Sequence, residues 1–212
     1  MKNLYQLSEG KQQSMYLTDQ IDLSRIFKLT AGIGIYSSQS GNEQSNHTTL
    51  ARRVSLEGFW NEKLYTYLNY KNEVYSYSPE LLRSNIALNI VSLAANYNLS
   101  ASFGFYNKAL LTHQSDNNQS SNLFSSLYYT FSKNPLVKVG VNNNILHFSQ
   151  SNDLYFSPDL YHSYEGFAMI NNAESGQPFT YGLLVAIGQQ RIEQGAPQLM
   201  HRIDSHLSLI HI

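Results

Sequence analysis

With 212 residues, a net charge of −1, no cysteine and only 14% charged residues, the chain offers no disulfide framework, no thiolate metal site and no electrostatic footprint for nucleic acid. The charge content lies well below the roughly 25% of an ordinary soluble domain, yet mean hydropathy is negative and no apolar run approaches the roughly 18 residues that suggest a transmembrane helix. Sparse charge, low hydropathy and 16 tyrosines fit strands with one greasy face and one wet face.

Taken in chain order, the N-terminus has Lys2 but no apolar stretch behind it. No signal peptide is read there, and Met1 is expected to be an internal residue or a miscalled start. Asn3 to Leu7 reads as the stub of an outward strand, followed by the turn-like Ser8-Glu9-Gly10. Period-two alternation then dominates, the mark of a strand with two different faces. Ser14 to Asp22 is a weak strand. In Lys28 to Tyr36, Leu29, Ala31, Ile33 and Ile35 alternate with Thr30, Gly32, Gly34 and Tyr36. Val54, Leu56 and Trp60 oppose Ser55 and Glu57, and Leu64, Leu68 and Val74 oppose Tyr65, Tyr67, Asn69, Lys71 and Glu73. Ile86, Leu88 and Ile90 alternate with Asn85, Ala87 and Asn89. Leu99, Ala101, Phe103 and Phe105 alternate with Ser100, Ser102, Gly104 and Tyr106. After a weaker strand from Asn122 to Phe131, Val137, Val139 and Val141 alternate with Lys138, Gly140 and Asn142. Tyr161 to Ile170 is again weak. Tyr181, Leu183, Val185 and Ile187 alternate with Thr180, Gly182, Ala186 and Gly188, and a last strand starts at Gln198.

The connections alternate in length. Leu23 to Phe27, Asn61 to Glu62, Leu93 to Asn96, Ser132 to Pro135 and Glu174 to Gln177 are short. Ser38 to Asn46, Ser76 to Arg83, Lys108 to Ser121, Ser149 to Leu160 and Glu193 to Pro197 are longer and polar. Outer-membrane barrels join short periplasmic turns to longer extracellular loops. The pattern predicts an all-β, antiparallel, up-and-down transmembrane β-barrel, an incomplete fragment of about eleven or twelve strands. Leu29, Ile33, Val54, Leu56, Ile86, Leu88, Phe103, Val139 and Val185 should face outward. The barrel is expected over residues 1–206. Leu207-Ser208-Leu209-Ile210-His211-Ile212 matches a translated transposon-end adapter, and 207–212 reads as a non-native tail.

Signals for enzymatic chemistry are poor. The histidines are scattered without H-E-x-x-H or metal spacing, and there is no G-x-S-x-G and no phosphate loop. Asp19 and Asp22 fall on opposite faces of their strand. No catalytic residue, metal or cofactor is expected. The expected wet interior offers Arg53, Glu57, Lys71 and Glu73 on adjacent strands, where charges can pair across the ladder or select solutes by charge. Tyr65, Tyr67 and Asn69, with Tyr106 and Tyr128, add aromatic and amide groups able to stack on and hydrogen-bond a sugar. Trp60, Tyr129 and Phe131, near short turns, fit an interfacial aromatic girdle.

Leu154-Tyr155-Phe156-Ser157-Pro158-Asp159-Leu160-Tyr161 follows one strand and opens the next. Locally it is a turn, with proline presetting φ and aspartate able to cap it. Its aromatic-aromatic-Ser-Pro stretch resembles the C-terminal outer-membrane barrel of tetratricopeptide-repeat exopolysaccharide export proteins such as cellulose synthase operon protein C. The resemblance implies passive, porin-like export of a polysaccharide, with outer-membrane lipid around the barrel and a periplasmic repeat scaffold in the same full-length protein. It also implies that Tyr155, Phe156, Ser157 and Pro158 shape an extracellular loop. Two alternatives stand beside this: an outer-membrane structural or adhesion barrel without transport, and a soluble glycan-binding β-domain.

Overall fold

The alternating segments become strands because each has one face that water solvates and one that it does not. The computed structural model describes residues 2–7, 10–40, 46–75, 81, 84–172 and 179–209, with side chains described for 14–37, 48–75, 81, 84–172 and 179–207. Twelve strands follow one another: β1 (Lys2–Leu7), β2 (Gly10–Asp22), β3 (Phe27–Ser40), β4 (Asn46–Phe59), β5 (Leu64–Val74), β6 (Ala87–Asn98), β7 (Phe103–Gln114), β8 (Gln119–Lys133), β9 (Leu136–Phe148), β10 (Tyr161–Asn171), β11 (Phe179–Ile192) and β12 (Gln198–Leu209). They form a single antiparallel up-and-down sheet in chain order. Among the described residues no ladder joins β12 back to β1. From β5 onward the strands run from 11 to 15 residues, enough for the 9–11 residues of a membrane-crossing strand.

Register separates the faces. Leu29, Leu56, Leu68, Leu93, Ala109 and Leu123 lie opposite one another in successive strands. Val139, Ala168, Val185 and Ile203 continue the same surface. This outer face exposes large apolar side chains along its length. At its turn end it carries Phe27 packed edge-on against Trp60 and Tyr129 against Phe131. Trp60, Tyr129 and Phe131 are all exposed there, and the Trp60 indole donates to Thr66 Oγ1 at 2.9 Å.

The inner face curls tightly enough for next-but-one strands to meet. Tyr128 on β8 crosses β7 and donates to Asn96 Oδ1 on β6 at 2.8 Å. The strand between them contributes Gly104, where a Cβ would collide with the Tyr128 ring. Likewise Arg202 on β12 crosses β11 to reach Glu165 on β10 at 2.9 Å. Gly188, directly opposite Glu165 on β11, again leaves the space open. Strand glycines mark such close approaches and sheet bends.

Several expectations are corrected. Leu93 to Asn96 is not a turn but the middle of β6, and the chain reverses at 99–102 instead. The apolar set changes face within that strand, from Leu88 and Ile90 inward to Val91 and Leu93 outward, and Ser100 Oγ, accepting from the Ser102 and Phe103 amides, closes the turn. The connection expected over Lys108 to Ser121 shrinks to 115–118, because Asp116 and Asn118 cap it locally and let both strands extend. Leu88 faces inward, 5% exposed, and Ile86 is buried with it. They pack beneath a loop that folds back over the inner face and supplies apolar partners there. Glu174 to Gln177 and most of Ser76 to Arg83 lie outside the described residues. In the tail, Leu207, Ser208 and Leu209 pair with β11, and 210–212 lie outside the described residues.

Candidate functional site on the inner face

Arg53 and Glu57 project from β4, and Tyr65, Tyr67, Asn69, Lys71 and Glu73 from β5, all onto the inner face of the sheet. Their pairing differs from the expected cross-strand ladder. Arg53 stands directly opposite Lys71, a like charge. Lys71 Nζ therefore bonds Glu73 Oε2 two residues along its own strand, at 2.7 Å. Arg53 turns the other way, its guanidinium 5.6 Å from the centre of the Tyr16 ring on β2. Glu57 accepts from the Tyr65 hydroxyl at 3.3 Å, and Tyr67 stands opposite Ala94 and Asn69 opposite Ser92. With both members partly solvated, the Lys71–Glu73 pair adds well under about 1 kcal/mol to stability. Its effect is to neutralise the wall.

A second polar group lies further round the sheet, and sequence reading did not single it out. Glu165 is 8% exposed and accepts from Asn142 Nδ2 at 2.8 Å and from Arg202 Nη2 at 2.9 Å. Arg202, 46% exposed, also bonds Asp204 through Nε at 3.2 Å. Asn122 donates to Asn144 Oδ1 at 2.8 Å, Tyr106 tilts against Phe124 at 6.1 Å, and Lys138 Nζ sits 4.3 Å from the centre of the Tyr128 ring. Of these groups, Tyr106, Asn122, Phe124, Asn142, Asn144, Glu165 and Arg202 line an open cavity of about 540 Å³ whose wall runs from β7 through β10 and also includes Lys108 and Met200. The only sequence clue was the alternation of Tyr161, Ser163 and Glu165. The partner that makes Glu165 informative lies 37 residues away.

The connection from 149 to 160 closes over one end of this face. Tyr155 is buried and stacks on Tyr75 at 5.1 Å with an interplanar angle of 25°, and it also touches Phe148. Leu81, Ile86, Leu88 and Ile90 complete that apolar cluster. Withdrawing such an aliphatic side chain from water contributes about 1.5–3 kcal/mol. The edge of the cluster is polar. The Tyr155 hydroxyl donates to Asp116 Oδ2 at 2.7 Å and accepts from Asn118 Nδ2 at 2.9 Å. Asn118 Oδ1 accepts from the Gln119 and Gln150 amides, and Asn152 Nδ2 donates to Asp116 Oδ2 at 3.0 Å. Burial, followed by the bond to Asp116, pushes the Tyr155 hydroxyl up to about 12. Ser157 Oγ accepts from the Asn152 amide at 2.6 Å. Pro158 is buried and Phe156 exposed. The four residues of the motif thus form one side of a turn whose anchor is Tyr155.

Among the described residues no group of three or more His, Asp or Glu could hold a metal ion. No helix is long and apolar enough to cross a membrane, which leaves crossing by strands open.

No family model matches the chain, and no curated protein matches it. Among solved structures, one described as a bacterial polysaccharide outer membrane secretin is similar at a TM-score of 0.69 and 8% identity, over 95% of this chain and 79% of that chain. At that identity the likeness is one of fold: an antiparallel up-and-down β-barrel wall.

Proposed function

We propose that this chain forms the wall of an outer-membrane barrel through which an exopolysaccharide leaves the cell passively. The observation that carries the reading is a sheet apolar outside and polar inside, built on the fold of a structure described as a polysaccharide secretin. A barrel in lipid needs that polarity, because lipid-facing and lumen-facing residues alternate along every strand. A soluble β-domain would bury the apolar face that is exposed here. In this reading Arg53, Glu57, Tyr65, Tyr67, Asn69, Lys71 and Glu73 line one side of the lumen, and the 149–160 loop frames its extracellular mouth. A periplasmic repeat scaffold in the full-length protein would deliver the polymer, as the resemblance to cellulose synthase operon protein C implies. Weak, repeated contacts allow a polymer to slide where a tight site would trap it, as with ion conduction.

The test is exported polysaccharide per cell, normalised to heat-modifiable barrel in the outer membrane. Replacing Tyr65 and Tyr67 together with Ala is expected to lower export while barrel assembly is retained. Unchanged export after deletion of the whole gene removes the reading and leaves the adhesion barrel in its place.

A further inference from the structure

The two ends of the outer face differ. The turn end closes with Trp60, Tyr129 and Phe131. At the loop end one rung crosses five strands as Arg52, Asn72, Asn89, His113 and Gln119, each directly opposite the next. The rung beneath it, Val54, Tyr70, Val91 and Leu111, opens the apolar surface. The polar boundary continues with Ser121 opposite His147 and His162 opposite Arg191. From β4 to β12 no Asp or Glu stands on the outer face of a strand among the described residues. Neither Arg52 nor Arg191 meets a carboxylate among those residues. Two acids stand in the connections above: Asp159, 3.3 Å from His147 Nε2, and Glu193, which accepts from the Asp159 amide.

This belt has the chemistry of a phosphate-bearing headgroup site. A guanidinium presents a planar fork of donors that matches phosphate oxygens, and anionic headgroups attract such side chains at a membrane surface. Imidazole and amide N–H groups donate to the same oxygens, and the Ser121 hydroxyl both donates to and accepts from a sugar hydroxyl. Asn89 is already placed by Asn72 and Tyr70, which both donate to its Oδ1 at 3.1 Å, so its Nδ2 remains as a donor. Between β6 and β9 the belt forms an open groove of about 420 Å³, where Asn89, His113, Ser121 and His147 stand beside Val91 and Leu111. A polar head site thus adjoins a surface for acyl chains.

We propose that the loop end of the outer face binds the phosphorylated sugar headgroup of a glycolipid in the outer leaflet. The inference rests on the outer-membrane barrel reading and is independent of export. The experiment titrates the full chain, folded in detergent micelles, and counts bound lipid by native mass spectrometry. The probes are a bisphosphorylated glucosamine-disaccharide lipid, its dephosphorylated form, and phosphatidic acid, which carries phosphate without sugar. The bisphosphorylated glycolipid is expected to bind at least about tenfold more tightly than either comparator. Replacing Arg52 and Arg191 together with Gln should weaken it about tenfold or more. Lys63→Gln, at the turn end, should change it less than about twofold. Equal binding of the dephosphorylated lipid by the unaltered protein overturns the phosphate site, and equal binding of phosphatidic acid overturns the sugar headgroup. A matching loss in Lys63→Gln overturns the location, and displacement of the glycolipid by inorganic phosphate at equal concentration overturns a lipid as the occupant. The export reading falls separately, by unchanged secretion in the deletion strain.

Discussion

Tyr155→Phe isolates one hydroxyl while leaving the ring in place. Phenylalanine retains the stacking on Tyr75 and the contact with Phe148 but loses two hydrogen bonds. One is the donation to Asp116 at 2.7 Å, the other the acceptance from Asn118 at 2.9 Å. A bond to a charged group is worth about 1.5–3 kcal/mol and a neutral one about 1. Asp116 keeps its bond from Asn152, and Asn118 Nδ2 keeps its bond to the Gln150 carbonyl, which places the net loss at about 2 kcal/mol. That loss applies to the loop, because the strand ladders beneath it do not depend on these bonds. Hydrogen exchange of the micelle-folded protein measures it directly. The amides of Gln150 and Asn152, bonded to Asn118 Oδ1 and Ser157 Oγ, should lose protection by about thirtyfold. Amides in the middle of β8 and β9 should not change. Equal protection at Gln150 and Asn152 in the variant refutes the claim that Tyr155 anchors the loop. Matching losses throughout β8 and β9 refute its independence from the wall.

Three further outcomes are expected. The stability that the neutral Tyr155 hydroxyl gives the loop is fully present below the ordinary tyrosine value of 10.0 and is lost as pH rises through about 12; protease cleavage within 149–160 should rise across that interval in the wild type and be independent of pH there in Tyr155→Phe. Leu93→Lys puts a charge in the outer apolar face and should cost about 2–4 kcal/mol in lipid, read as a lower urea midpoint of the bilayer-inserted protein. Gly104→Val drives a side chain into the Tyr128 ring and should cost about 1–3 kcal/mol by overpacking; a thermal midpoint equal to wild type would show that Tyr128 does not need the glycine beneath it.

Much of the architecture was legible because its cause is local. A strand between lipid and water must alternate, and each of Lys28 to Tyr36, Leu64 to Val74 and Val137 to Asn142 states its two faces in its own residues. The placement of Arg53, Lys71 and Glu73 on one face follows from parity alone once β4 and β5 are recognised. Boundaries read from composition fared less well. Leu93 to Asn96 looked like a turn because two alanines and an asparagine weaken the alternation, but Ala94 faces inward, buried within the strand.

That the chain makes antiparallel strands with one apolar and one polar face, and which residues within a segment point the same way, could be read from the residues alone, because side chains alternate with period two along a strand. Which of those residues meet depends on how the strands come together in space. Arg53 and Lys71 share a face but stand opposite as like charges, so each finds a different partner. Glu165 acquires its role from Arg202 across a strand narrowed by Gly188. Leu88 and Ile86, expected to face outward, lie against Tyr155 because the 149–160 loop folds back over the inner face. Register, curvature and loop return are relations between segments distant in the chain, and alternation within a segment carries no information about them.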